Sequence, residues 1–171
     1  MIEKRKPSQT IIDILTEEIR TFGLPFAKDK KSFGATKESF DRIKNMQGSE
    51  TLNLKASMTW GTYDMQRKKE PFIKKVIKEL DASCCTNTLF YSQGSFIDWH
   101  TNSDDPGIRT YILYTSKPGI FRYKDQTTGE IVDDLDFVGW TQRSFKVDKE
   151  NLLWHCVYSP APRFAYGFNR V

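Results

Sequence analysis

Histidine is almost absent from this chain, with two in 171 residues. A site built on three or more imidazoles is therefore excluded, and a two-imidazole metal site would have to use both. Cysteine is scarce too: three residues, an odd number, with Cys84 and Cys85 adjacent. That count excludes a disulfide framework and suits free thiols in a reducing compartment. No apolar run approaches the ~20 residues that cross a bilayer. Met1-Ile2-Glu3-Lys4-Arg5-Lys6 lacks the apolar core of a secretion signal, so the expected location is cytoplasmic. There is no internal repeat and no low-complexity tract, which argues against solenoids and long linkers.

Aromatic residues are plentiful. They make up 13% of the chain, twelve of them Phe, which favours a packed, β-rich interior. The length is that of one domain with a sizeable core, and we read residues 1–171 as a single unit. Charge is uneven: residues 1–85 hold 17 Lys/Arg against 12 Asp/Glu, whereas residues 86–171 hold 9 against 10. The basic half could face an acidic partner, nucleic acid included, although a solvated helical face accounts for the lysines equally well.

Pro7 to Ile19 has the spacing of an amphipathic helix, with Pro in the first turn and Ile11, Ile12, Leu15 and Ile19 on one face. Gly23 and Pro25 follow as stop signals. Residues 28–34 read as loop, 36–46 as a short helix, and 51–60 as a strand of period two. Pro71 to Leu80 predicts a second helix. After Cys85 the texture changes to short strands, predicted at 86–92, 96–102, 109–115, 120–123, 143–147, 153–158 and 163–169. Gly94, Pro106-Gly107, Pro118-Gly119, Thr128-Gly129 and Pro160-Ala161-Pro162 are the turn signals between them. Helices first and strands afterwards predict an α+β, mostly β fold, a sandwich or barrel with the helices against one outer face. The stretch Lys117–Thr141 is expected to supply substrate-facing loops.

Alternation along a strand puts Asp98, His100 and Asn102 on one face. His155 lies on a second strand, and Arg163 opens the next. Two imidazoles and one oxygen from two strands make a facial triad, which leaves adjacent positions for a chelating co-substrate and oxygen. Arg163 would point into the same cavity and could grip a carboxylate with two hydrogen bonds. The oxygen ligand has four readings: Asn102 through its amide, Asp104 or Asp105 where the chain turns, Asp98 from the same strand, or a vacancy filled by halide. Asn102 and Asp104 rank first, since the chain must bend toward a metal there. A zinc site of Cys156 with Cys84 and Cys85 is disfavoured, because neighbours on a strand face opposite ways.

At Tyr91-x-x-Gly94-x-x-Ile97-x-x-His100-x-Asn102 the chain resembles the 2-oxoglutarate- and Fe(II)-dependent oxygenases, most closely the prolyl-hydroxylase-like branch. That branch has Asp at the last of these positions. Arg109-Thr110-Tyr111-Ile112-Leu113-Tyr114 is similar to its next strand, and His155 and Arg163 to its distal segment. Small stand-alone phage members look similar, with a His-Thr-Asn-Ser segment here. The resemblance covers residues 86–171 and implies a double-stranded β-helix (jelly roll) core, with 1–85 as helical support and outer strands. It also implies Fe(II) on His100 and His155, and 2-oxoglutarate on Arg163 and Tyr91. Ala165 departs from the common Arg-x-Ser form. The implied reaction is hydroxylation of a C–H bond, centred on iron with no separate acid or base; the resemblance favours peptidyl proline as substrate, and the basic first half leaves a nucleobase open. Arg109, Tyr111, Arg122 and Arg143 are weaker substrate-contact candidates. Two rival readings are a non-catalytic module of this fold that lost its carboxylate and a cupin-like metal protein that binds no 2-oxoglutarate.

Overall fold

The computed structural model describes residues 1–23, 59–102 and 104–171. The loop expected at 28–34, the helix at 36–46 and most of the strand at 51–60 fall outside the described residues; Thr59 and Trp60 open an observed strand. The elements are β1 (Ile2–Arg5), α1 (Gln9–Phe22), β2 (Thr59–Asp64), α2 (Pro71–Glu79), β3 (Cys84–His100) and β4 (Gly107–Thr115). They continue with β5 (Ile120–Lys124), β6 (Ile131–Leu135), β7 (Gly139–Val147), β8 (His155–Ser159) and β9 (Arg163–Arg170). Among the described residues no helix is long and apolar enough to cross a membrane.

Strand pairing is antiparallel and runs β1-β7-β4-β9-β3-β8-β5-β6, with β2 also on β3. The long β3 joins two sheets. Residues 84–91 pair with β9, and residues 95–100 pair with β8. Side chains from both halves meet in one core: Tyr91, Leu113, Phe145 and Ala165 from one sheet, and Ile97, Phe121 and Val157 from the other. The two sheets therefore face each other as a double-stranded β-helix, the jelly-roll architecture expected from the sequence.

The helices cover the opposite face of the larger sheet. Ile11 and Leu15 of α1 and Ile73 and Val76 of α2 pack on Phe90, Ile112, Phe164, Tyr166 and Phe168. Each such aliphatic side chain contributes about 1.5–3 kcal/mol on leaving water. Strand β9 is thus buried on both faces: Phe164, Tyr166 and Phe168 meet the helices, and Ala165 meets the second sheet. Helix α1 starts at Gln9, two residues later than expected. Ser8, not Pro7, precedes its first turn, and the Ser8 hydroxyl accepts from Ile11 N at 3.4 Å. Gly23 closes it at φ 67°, where its N–H donates to Ile19 O at 2.7 Å. Glu18 shares the buried face and accepts from Arg67 Nη1 at 3.1 Å and from the Tyr166 hydroxyl, which ties α1 to β9.

Three sequence expectations need correction. Gly94 does not separate two strands; it sits inside β3 at φ 75°, a conformation glycine enters without steric cost. The segment Lys117–Thr141 holds one strand more than the expected one at 120–123, because β5 pairs with β6 from Ile120↔Leu135 to Lys124↔Ile131. Strand β1 had no counterpart in the sequence reading, since four residues alternating partly buried and exposed carry too little periodic signal.

Candidate functional site

Between the two sheets lies a cavity of about 220 Å³. His100, Asn102, His155, Tyr91, Arg163, Tyr111 and Arg143 all line it. Asp98, Asp104, Arg109 and Arg122 are not among its lining residues. The reason for Asp98 is a bulge. Ile97 faces Val157 and His100 faces His155, so β3 spends one residue more than β8 over this stretch. Strict alternation fails there: Ile97 and His100 both face the cavity, while Asp98 is buried elsewhere with its Oδ1 accepting from Trp99 N at 2.7 Å. Trp99 packs outside the cavity with Phe96 and Cys156.

Asp104 is exposed, and Asp105 is held by Arg109 Nη2 at 2.9 Å and Asn169 Nδ2 at 3.2 Å. Arg122 is engaged by Asp133 through Nε at 2.6 Å and Nη2 at 2.9 Å, a bidentate pair across the β5–β6 hairpin.

At one end of the cavity the two imidazole rings lie 4.2 Å apart, centre to centre. His100 Nδ1 is 2.7 Å from Asp98 O, and His155 Nδ1 is 2.9 Å from Leu153 O. A carbonyl can only accept, so each Nδ1 carries the hydrogen and each Nε2 keeps a lone pair. Burial lowers the pKa of both rings, His155 the more, with the charge His100 would carry adding to the effect. Both are therefore neutral, the form that binds metal. Asn102 Nδ2 lies 3.3 Å from His155 Nε2, and a flip of the amide would present its Oδ1 instead. No third His, Cys, Asp or Glu joins the pair among the described residues. The donor set fits one divalent cation: two nitrogens fixed by carbonyls, as metal-binding imidazoles usually are, and one neutral oxygen.

The other charged feature is a cluster that starts at Arg163. Its guanidinium lies 4.9 Å over the Tyr91 ring, and its Nε is 3.0 Å from Asp136 Oδ2. Asp136 Oδ1 accepts from Arg143 Nη1 at 2.9 Å, and Arg143 Nε donates to Asp134 Oδ2 at 2.9 Å. Lys4 from β1 also bonds Asp134. Phe121 links this cluster to the histidine end, with its ring 5.1 Å from His155 and 4.6 Å from the Arg143 guanidinium. Burial keeps the Tyr91 phenol protonated, far above its ordinary pKa, although Arg163 pulls the other way. Gly167 opens the wall beside Tyr111, since a Cβ there would come within 2.6 Å of Asn87 Oδ1 and 2.9 Å of Tyr111 Cε1.

Asp134, Asp136, Lys4 and Phe121 escaped the sequence reading. Asp133-Asp134-Leu135-Asp136 puts three acids close together, which suits opposing cations, but nothing local names Arg143 or Arg163 as the partners of Asp136.

No family model matches this sequence, and no curated protein matches it either. Solved structures do. A Pseudomonas putida prolyl-4-hydroxylase superposes with a TM-score of 0.56 over 99% of this chain and 92% of its own, at 13% identity. The chain has that enzyme's fold. Two neighbours score lower. One is a full-length Neurospora crassa protein in complex with alpha-KG, at TM-score 0.49, 15% identity and coverage of 99% and 74%. The other is a 2OG-Fe(II) oxygenase family oxidoreductase from Burkholderia pseudomallei, at TM-score 0.43, 14% identity and coverage of 96% and 91%.

Proposed function

We propose that this chain is a 2-oxoglutarate- and Fe(II)-dependent oxygenase that hydroxylates a C–H bond. The observation that carries the reading is the convergence, in one cavity, of two neutral imidazole lone pairs and the arginine Arg163. Iron would be held by Nε2 of His100 and His155, with the Asn102 amide oxygen as third donor. Arg163 would take the far carboxylate of 2-oxoglutarate, braced by the Tyr91 ring beneath it. When bound, metal and co-substrate together supply dioxygen activation, with 2-oxoglutarate leaving as succinate and carbon dioxide. The chain's own part is to orient and to exclude water, through Leu113, Phe121, Val157 and Ala165 on the cavity wall. No acid or base is needed besides the metal.

Peptidyl proline is the favoured substrate, supported by the shared fold with a prolyl-4-hydroxylase, and a nucleobase is second, supported by the basic first half of the sequence. A reducing, cytoplasmic setting suits Cys84, Cys85 and Cys156, all free thiols. One observation favours a second reading, a binding module that has lost catalysis: the third donor is an uncharged amide, which holds a hard cation less firmly than a carboxylate. The test is succinate formation by protein reconstituted with Fe(II) under air. The oxygenase reading expects turnover that needs both Fe(II) and 2-oxoglutarate and disappears in His100→Ala. Absence of metal binding together with absence of 2-oxoglutarate binding would exclude it.

A further inference from the structure

The buried carboxylate of Asp136 has no place in the chemistry above, yet it touches both arginines that line the cavity. Its residue is 3% exposed and its side chain fully buried. One oxygen accepts from Arg143 Nη1 at 2.9 Å and the other lies 3.0 Å from Arg163 Nε. The second contact is not aligned as a hydrogen bond, and neither Arg163 Nε nor Asp136 Oδ2 has a hydrogen-bond partner. Coulomb attraction alone therefore holds Arg163 on its Nε edge, and its terminal nitrogens are not consumed by Asp136.

The acid is itself fixed in place. Asp136 N donates to Gly119 O at 2.9 Å, and its carboxylate lies so close to Gly119 that a Cβ there would meet Oδ2 at 2.6 Å. With the Tyr91 ring on one face of the guanidinium and Asp136 on one edge, Arg163 is constrained in both tilt and direction. The cluster also has an odd count. Lys4, Arg143 and Arg163 are three cations against the two carboxylates Asp134 and Asp136, so one positive charge is unmatched. A single incoming carboxylate would balance it.

We propose that Asp136 is a positioning residue that aims the terminal nitrogens of Arg163 at the far carboxylate of the co-substrate and sets the cluster to accept one such group. This rests on the assignment of 2-oxoglutarate to Arg163. A carboxylate held by an arginine that must first reorient gains less than one held by an arginine already in place.

The test is calorimetric binding to the Mn(II)-loaded protein, with 2-oxoglutarate and with 2-oxobutyrate, a 2-oxo acid that lacks the far carboxylate. Asp136→Asn is expected to weaken 2-oxoglutarate by roughly three- to tenfold, the cost of ordering one long side chain on binding once Asp136 no longer holds Arg163 in place. Binding of 2-oxobutyrate and of Mn(II) should stay within about twofold, because a merely structural defect would lower all three. Should the asparagine variant not fold, Asp136→Glu keeps the charge and moves it by one methylene. It should weaken 2-oxoglutarate alone, by several-fold. Equal affinity for 2-oxoglutarate in wild type and variant overturns the positioning role while leaving the site assignment standing. A parallel loss of all three ligands also overturns it. Wild-type protein that binds 2-oxoglutarate no better than 2-oxobutyrate overturns the assignment to Arg163, and the inference with it.

Discussion

The histidine end of the cavity carries no formal charge, whereas the arginine end gathers three cations and two carboxylates linked by ion pairs. The first is built from groups that burial keeps neutral: two imidazoles whose pKa values are lowered and an amide. The second keeps its charges by pairing them, which is how buried ions survive in a low dielectric. The contrast assigns opposite ligands to the two ends. Neutral lone pairs attract a cation with no internal charge competing for it, and a surplus arginine charge attracts an anion. A ligand with a chelating head and a carboxylate tail satisfies both.

The largest expected effect breaks the neutral end. His155→Ala removes one of two nitrogen donors and should weaken Mn(II) binding by about a hundredfold or more, read by titration calorimetry. Next, Arg163→Ala at the charged end should cost 2-oxoglutarate about ten- to a hundredfold and leave Mn(II) nearly untouched. An equal loss of both would erase the distinction between the ends. Asn102→Asp sharpens it by adding a charge where there is none, and should tighten Mn(II) by about tenfold, since hard cations prefer anionic oxygen.

The smallest effect is on stability. Both imidazoles have depressed pKa values when folded, and the unfolded chain takes up protons near about pH 6.5. Below that pH the unfolded state binds more protons than the folded one, so stability should fall as pH drops and level off only once the folded rings also titrate. Urea melts of metal-free protein between neutral pH and pH 5 measure this. A His100→Gln variant should show a shallower loss than the wild type.

What was legible in the sequence follows from how local each signal is. Helix α2 shows in its own spacing of Ile73 and Val76, and the alternation of Phe164, Tyr166 and Phe168 in β9 shows likewise. The histidine pair and Arg163 were also readable, because residue type and spacing suffice for them. The face of Asp98 was not, for a bulge between Ile97 and His100 resets the alternation and leaves no mark in residue type. Asp136 was hidden for a different reason. Its partners Arg143 and Arg163 come from β7 and β9, and only the folded sheets bring them to one carboxylate.

The central claim is that the two ends form one ligand site, and coupling between their ligands tests it most directly. Calorimetry of 2-oxoglutarate into protein with and without saturating Mn(II), in wild type and Arg163→Ala, gives the coupling in one experiment. The account predicts that Mn(II) tightens 2-oxoglutarate by at least about tenfold and that Arg163→Ala weakens it in the Mn(II)-loaded protein. Identical 2-oxoglutarate affinity with and without Mn(II) would contradict it.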